Sequence, residues 1–255
     1  MKYLISYIIR NVPRKYLQLF SHIIAKGLSV FYIGRNVECP VCGSNYRKFL
    51  PYGRKSPRSN ALCPNCLSLE RHRLMWLYLK EKTDFLTKKL KVLHIAPELC
   101  FINRFEAMGN LDYVTADLES PLAKVKMDIH DIPFDQNTFN VVFCNHVMEH
   151  VNDDIKAMSE IYRVLKPSGW AIIQIPFIGT VPDTTFEDPS ITNPKQREKV
   201  YGQSDHVRLY GWDYPDRLRK AGFMVKEDNY VKELSAEIVQ RHALPQNEVI
   251  YFCHK

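Results

Sequence analysis

From residue 91 onward, apolar runs of strand length alternate with stretches of helical period. Residues 91–96 (KVLHIA), 111–117 (LDYVTAD), 140–145 (NVVFCN) and 170–176 (WAIIQIP) read as strands, and helices are predicted near 98–108, stopped by Gly109, and near 153–165. This alternation implies parallel strands joined by crossover helices, an α/β architecture whose ligands bind beyond the carboxyl ends of the strands, where strand order reverses. Upstream the period changes. From Pro13, a favourable first helical position, Leu17, Phe20, Ile24, Leu28 and Phe31 recur at helical spacing, while Arg14, Lys15, Gln18, Ser21, His22 and Lys26 lie largely off that stripe, predicting a basic amphipathic helix. Its charges interrupt every apolar run well short of the ~18 residues a membrane span needs, and no small-residue cleavage site follows, so neither a transmembrane helix nor a secretion signal is expected.

At 255 residues, 45% hydrophobic and 25% charged, the chain suits one medium catalytic domain with a small appendage and excludes disorder or collagen-like repetition. Its net charge of +7 is unevenly spread: residues 1–37 hold six basic groups and no acid, residues 38–90 hold 11 basic against 4 acidic groups, and the remainder carries −6. Three parts follow: a basic helical segment at 1–37, a cysteine module with a following helix at 38–90, and an α/β domain at 91–255. The basic front expects an anionic partner. One candidate is an anionic membrane surface met by residues 1–34, where each basic group near the surface adds ~1 kcal/mol; another is RNA; the plain alternative is a helix packed on the protein's own core.

Seven cysteines are an odd count for a disulfide scaffold, and four stand as two Cys-x-x-Cys pairs, Cys39/Cys42 and Cys63/Cys66. Two such turns bring four thiolates to one tetrahedral ion, so a structural zinc in a zinc-ribbon-like module is expected, with a redox dithiol pair as the alternative and a reducing, cytoplasmic compartment implied. All four positions are filled by sulfur, which leaves no open site for catalysis on that ion. Cys100, Cys144 and Cys253 read as small buried hydrophobes. Basic residues at 54–58 and Arg71, His72 and Arg73 early in a helix over 67–82 are candidate phosphate grips or an ordinary solvated surface.

Three stretches, YVTADLES (113–120), KMDIHDIPFDQNTFNVVFCNHVMEHV (126–151) and EIYRVLKPSGWAIIQIP (160–176), carry a resemblance. Residues 91 to about 176, and more loosely to 225, resemble class I S-adenosylmethionine-dependent methyltransferases, in particular those similar to quinone-biosynthesis methyltransferases. The resemblance implies a Rossmann-like doubly wound sheet and S-adenosylmethionine as cofactor. It places Asp117 on the ribose hydroxyls with Leu118 beside it, Asp128 on the adenine amino group with Ile129 beside the ring, and Asn145 and His146 beneath the reacting methyl. A capping role for Asp117 and a turn role for Asp128 are the plainer readings. The first loop departs from the family: His94 stands in the position of an acid, and Ala96 and Glu98 stand in two glycine positions flanking Pro97. Glycine there allows close backbone approach to the cofactor. Glu98 is therefore expected to take over the contact with the methionine ammonium, at the positive end of the following helix.

For the acceptor side, His146, Glu149, His150, Asp205, His206, Arg208 and Tyr210 are candidates. His206 is expected to act as base or acceptor-orienting group, within a lid formed after the Pro-rich loop 176–194, and Arg208 to bind an acidic group on the acceptor. The function expected is methyl transfer to a small-molecule, saccharide or lipid-linked acceptor near the cytoplasmic membrane face. An RNA methyltransferase is the second reading, although Asn145-His146-Val147-Met148 does not match the motif used for base amino groups. A non-catalytic binding protein with a degenerate cofactor loop is the third.

Overall fold

The computed structural model describes residues 25–53 and 57–255. Of the expected amphipathic helix, the part up to residue 24 lies outside the described residues; residues 25–29 are helical and 30–32 form a 3-10 turn, on which Leu28 and Phe31 are exposed. Among the described residues, no helix is long and apolar enough to cross a membrane. The chain forms two compact units: the first holds the described residues up to Thr87 with Glu98–Met108 and Asn229–Glu248, the second Lys88–Pro97, Gly109–Asp228 and Val249–Lys255.

The first unit is built on short strands and cysteine turns. Strand β1 (Ile33–Glu38) pairs antiparallel with β2 (Asn45–Tyr46), and β3 (Leu50–Tyr52) with β4 (Arg58–Leu62). Helix α1 (Glu70–Lys82) is buried on every face from His72 to Leu79, so it acts as the unit's core rather than as a surface helix. Helix α2 (Leu99–Glu106) packs its aromatic side chains on α1: Phe105 stacks on Trp76 and meets Phe85 edge to face. For His72 and Arg73, both readings offered by the sequence, a phosphate grip and a solvated basic surface, are corrected here. Arg73 is fully buried and donates to the carbonyls of Ala61, Ser68, His242 and Ala243, with its guanidinium 4.3 Å from the Phe49 ring, while the buried His72 accepts from the Leu69 amide. A buried cation is tolerated because backbone dipoles replace its water.

The second unit is a seven-stranded sheet. The parallel members are β5 (Leu90–Ile95), β6 (Leu111–Asp117), β7 (Val125–Lys126), β8 (Phe139–Asn145) and β9 (Leu165–Gln174). After β9 come the antiparallel pair β10 (Phe186–Glu187) and β11 (Arg208–Leu209), and then β12 (Met224–Asp228) and β13 (Ile250–His254). Spatial order is β12-β13-β9-β8-β5-β6-β7, with β13 antiparallel to both neighbours. The central strands are apolar in their middles, as strands covered on both faces must be: Val92, Leu93 and Val141 through Cys144 are fully buried. Helix α3 (Asp154–Val164) sets Ala157, Met158, Ile161 and Val164 against that core, and Asp153 caps it by accepting from the Lys156 amide. Between them lie α4 (Pro194–Val200) and α5 (Tyr214–Lys220). Order reverses between β5 and β8, so the ligand crevice of such a sheet opens at their carboxyl ends.

One polar network holds the second unit's later segments together. Buried Asp154 accepts from the Tyr210 hydroxyl at 2.7 Å and from Arg217 at 2.6 and 2.8 Å. Burial alone raises its carboxyl pKa, but the Arg217 hydrogen bonds, the Arg208 charge and the Tyr210 hydroxyl outweigh it and hold the group below the ordinary carboxylate range. The unfolded chain therefore takes up this proton first. The stability contributed by Asp154 is complete above the ordinary aspartate pKa, about 3.9, and is lost as pH falls through the lower folded value. Asp154→Asn is expected to cost about 3 kcal/mol at pH 7, within the range for breaking a buried pair, and to flatten the acid limb of stability. Urea unfolding at a series of pH values checks both.

Candidate functional site

Three strand ends supply the crevice. At the end of β5 the chain turns through Ala96, at φ +50°, and its amide donates to the Ala116 carbonyl at 2.8 Å. At the end of β8 it turns through His146, at φ +57°, and that amide donates to the Gln174 carbonyl at 2.7 Å. Both turns use the left-handed region that favours glycine, so the alanine in the first loop keeps a glycine-type conformation at a cost of roughly 1–2 kcal/mol. Ala96→Gly is expected to raise stability by about 1 kcal/mol, opposite to the usual effect of glycine, in denaturant titrations.

At the end of β6, Asp117 Oδ1 accepts from the amides of Glu119 and Ser120 at 2.7 and 2.6 Å, and its carbonyl accepts from the Met127 amide. This fixes the carboxylate at the strand end and leaves Oδ2 for another donor. Beside it Leu118 is 56% exposed, an apolar plate at a polar edge. Asp128 is turned to His130, accepting from its amide at 2.9 Å with its ring 2.7 Å away; the His130 amide, then its ring, hold the carboxyl below the ordinary range. Ile129 is buried in the sheet core, and Asn145 ends β8 opposite Gln174.

Several expectations for the first and acceptor loops are corrected. His94 is fully buried, with Nδ1 2.7 Å from the Tyr113 hydroxyl and its ring edge-on to Phe143, so it packs the sheet instead of facing a ligand. Pro97 is buried. Glu98 belongs to the first unit, where it caps α2 and its carboxylate lies 3.8 Å from His72 Nε2. Arg208 spends all five N–H donors, on the carbonyls of Met148, Val151 and Asn152 and on Glu187, at 2.5–3.1 Å. No donor remains for an acidic acceptor. The loop expected to be a lid is tied down: Thr185 donates to Asp213, Trp212 donates to the Pro182 carbonyl, and a Cβ on Gly211 would meet the Thr184 carbonyl carbon at 2.5 Å.

His206 is 1% exposed. Burial holds its imidazole below the usual histidine range, and Nδ1 donates to the Tyr201 carbonyl at 3.1 Å. One ring nitrogen of His206, one of His150 and a carboxylate oxygen of Glu149 lie within 4.8 Å of one another. His146 Nδ1 is 3.6 Å from the same carboxylate. The sequence offered these residues singly; they are brought together by ties between segments distant in sequence, the Val207 amide on the Glu149 carbonyl and Arg208 on the carbonyls of Met148, Val151 and Asn152.

In the first unit, the sulfurs of Cys39 and Cys66 are 3.6 Å apart and those of Cys42 and Cys63 are 3.8 Å apart. A tetrahedron with metal–sulfur bonds of ~2.3 Å has edges of about 3.8 Å, so the four sulfurs fit zinc. The two turns are built alike: Cys39 and Cys63 each donate to the carbonyl five residues on (Ser44, Ser68) and accept from the amide four residues on (Gly43, Leu67).

Residues 95–173 match the family model described as "Methyltransferase domain". This stretch of the chain is a methyltransferase domain. It is 32% identical over 125 residues to the sterol 24-C-methyltransferase of Kluyveromyces lactis, spanning 48% of this chain and 32% of that protein. With the ubiquinone/menaquinone biosynthesis C-methyltransferase UbiE of Klebsiella pneumoniae it shares 33% over 143 residues, 56% of this chain and 43% of the other. The chain thus spans less than half the length of these curated relatives. An S-adenosylmethionine-dependent methyltransferase from Mesorhizobium loti superposes at a TM-score of 0.49 with 13% identity, over 71% of this chain and 97% of that one. The methyltransferase domain takes in β5's last residue through nearly all of β9, and with them the ends of β6 and β8.

Proposed function

We propose that the protein transfers the methyl group of S-adenosylmethionine to a small-molecule, saccharide or lipid-linked acceptor near the cytoplasmic membrane face. The observation that carries this reading is the methyltransferase domain whose strand ends present Asp117, Leu118, Ala96, Asn145 and His146 around one switch point. The residues fit the cofactor: Asp117 Oδ2 is free to accept from the ribose diol, Leu118 offers an apolar face to the adenine, and the left-handed Ala96 turn brings backbone close to the ligand. Asp128 would accept from the adenine amino group, with Ile129 behind it. Bound there, the sulfonium supplies an electrophilic methyl for in-line displacement. The chain's part is alignment, worth up to ~7–11 kcal/mol in the best cases, with Asn145 and His146 beneath the methyl and His206 helping to orient the acceptor.

Zinc in the four cysteines would hold the first unit's strands without joining the reaction. The names of the relatives, a sterol and a quinone methyltransferase, support a lipid-like acceptor, as do the basic residues of segment 1–34. Removing residues 1–34 is expected to abolish co-sedimentation with anionic vesicles; unchanged binding would remove the membrane part of the proposal. The acceptor is tested by incubating purified protein and methyl-labelled S-adenosylmethionine with lipid, saccharide and RNA fractions. Label in lipid or saccharide supports the reading, label confined to RNA replaces the acceptor class, and no label together with no calorimetric cofactor binding overturns it.

A further inference from the structure

We propose that Glu149, His150 and His206 form a site for a first-row divalent cation, separate from the four cysteines. Glu149 is 2% exposed, and among the described residues its ion-pair neighbours are only histidines, His146 at 3.6 Å and His150 at 3.9 Å. Arg208, which donates to the carbonyls of Met148 and Val151 on either side of Glu149 in sequence, has spent its donors elsewhere. A buried carboxylate without a cation is rarely kept unless paired or metal-bound. Glu149 Oε2 and His206 Nε2 are both buried without a hydrogen-bond partner among the described residues, two acceptors left facing a protein interior.

The two imidazoles are set up as ligands. His206 Nδ1 lies 3.1 Å from the Tyr201 carbonyl and His150 Nδ1 lies 3.3 Å from the Asp205 carbonyl, with the Asp205 carboxylate at 3.5 Å. A carbonyl only accepts, so each ring carries its proton on Nδ1 and its lone pair on Nε2. This is the outer-shell arrangement that fixes the tautomer of metal-binding histidines. The rings stand edge to face with centroids 4.8 Å apart, and one donor atom from each of the three residues lies within 4.8 Å of the others.

Two imidazoles with one carboxylate suit manganese, iron, cobalt, nickel or zinc better than calcium or magnesium. The side chains of His150 and His146 are 32% and 21% exposed, which opens one side of the cluster and leaves coordination positions for an outside oxygen ligand. The cluster follows the end of β8, so on the methyltransferase reading above that ligand is a hydroxyl or carbonyl oxygen of the acceptor, and His206 orients the acceptor through the cation. The cation site itself does not depend on that reading.

The test uses the full chain with its cysteine site loaded with zinc, titrated with Co2+ by calorimetry and absorption in the absence of S-adenosylmethionine and acceptor. One Co2+ is expected to bind without the thiolate charge-transfer band that marks cysteine ligation. Glu149→Gln and His150→Gln are each expected to weaken it by at least ~100-fold, beyond the cost of outer-shell changes, with the thermal unfolding midpoint unchanged. His150, being partly exposed, guards against a variant that fails to fold. Binding of no further cation, or equal affinity in Glu149→Gln and His150→Gln, overturns the site, whatever the protein does with S-adenosylmethionine in a parallel titration.

Discussion

Asp117→Asn is expected to weaken S-adenosylmethionine binding by about 10- to 100-fold, and Asp117→Ala by more, measured by calorimetry. The carboxylate at the end of β6 divides its work: Oδ1 closes the turn through the Glu119 and Ser120 amides, and Oδ2 is left for a ligand. A ribose diol presents two hydroxyl donors, and hydrogen bonds to a charged acceptor contribute about 1.5–3 kcal/mol each. Asparagine can keep the turn through its carbonyl oxygen but puts an N–H where the second acceptor was. Alanine loses both, so the strand end loosens as well. Asp128→Asn should cost less, because Asp128 is already committed to His130 and its side chain is 57% exposed. An affinity for Asp117→Asn within threefold of the wild type would remove Asp117 from the cofactor site.

The sheet was legible because its strands are short, mostly apolar runs separated by helical periods. The predicted 111–117 is β6 to the residue, and 140–145 differs from β8 by one. β9 begins at Leu165 rather than 170, but Lys166-Pro167-Ser168-Gly169 bulges out of the ladder, with Ser168 at φ +64°, and regular pairing with β8 resumes at Trp170 opposite Val141. The cysteine cluster was legible for a different reason, because its ligand spacing is local. Charge burial was not legible. Arg73 and Arg208 look like surface residues in any linear reading, and what makes them buried is a set of carbonyls delivered by segments far away in sequence, 242–243 for one and 148–152 for the other. His94 misled for the same reason: its position suggested a ligand contact, while its partner Tyr113 lies on the neighbouring strand. Periodicity also cannot say that residues 98–108 and 229–248 cluster with the cysteine module.

Cys63→Ser is expected to remove the bound metal and unfold most of the first unit while the seven-stranded sheet persists. The strands β1–β4 are two to six residues long and pair only two by two, too little ladder to stand alone. What joins them is the sulfur cluster, whose 3.6 and 3.8 Å spacings match a zinc tetrahedron. Sites of this kind contribute ~10–16 kcal/mol in small zinc-bound peptides, more than a typical domain's whole stability of 5–15 kcal/mol can spare. Arg73 ties the cluster to the unit's core. Burial lowers its pKa, partly offset by the charges of Cys39, Glu70, Cys63 and Cys66, and it holds the carbonyl of Ser68, whose hydroxyl is 3.1 Å from Cys39 Sγ. Losing one thiolate therefore unsettles the ion, the second turn and the buried guanidinium together. Metal content by atomic emission should fall from one zinc in the cysteine site to none, and hydrogen exchange should show protection lost over 33–69 but kept in β5, β8 and β9. Cys253→Ala, in the sheet, should keep the zinc and the protection of 33–69. Full protection of 33–69 in metal-free Cys63→Ser would mean the module folds on its apolar contacts alone, and the structural role of zinc would fall with it.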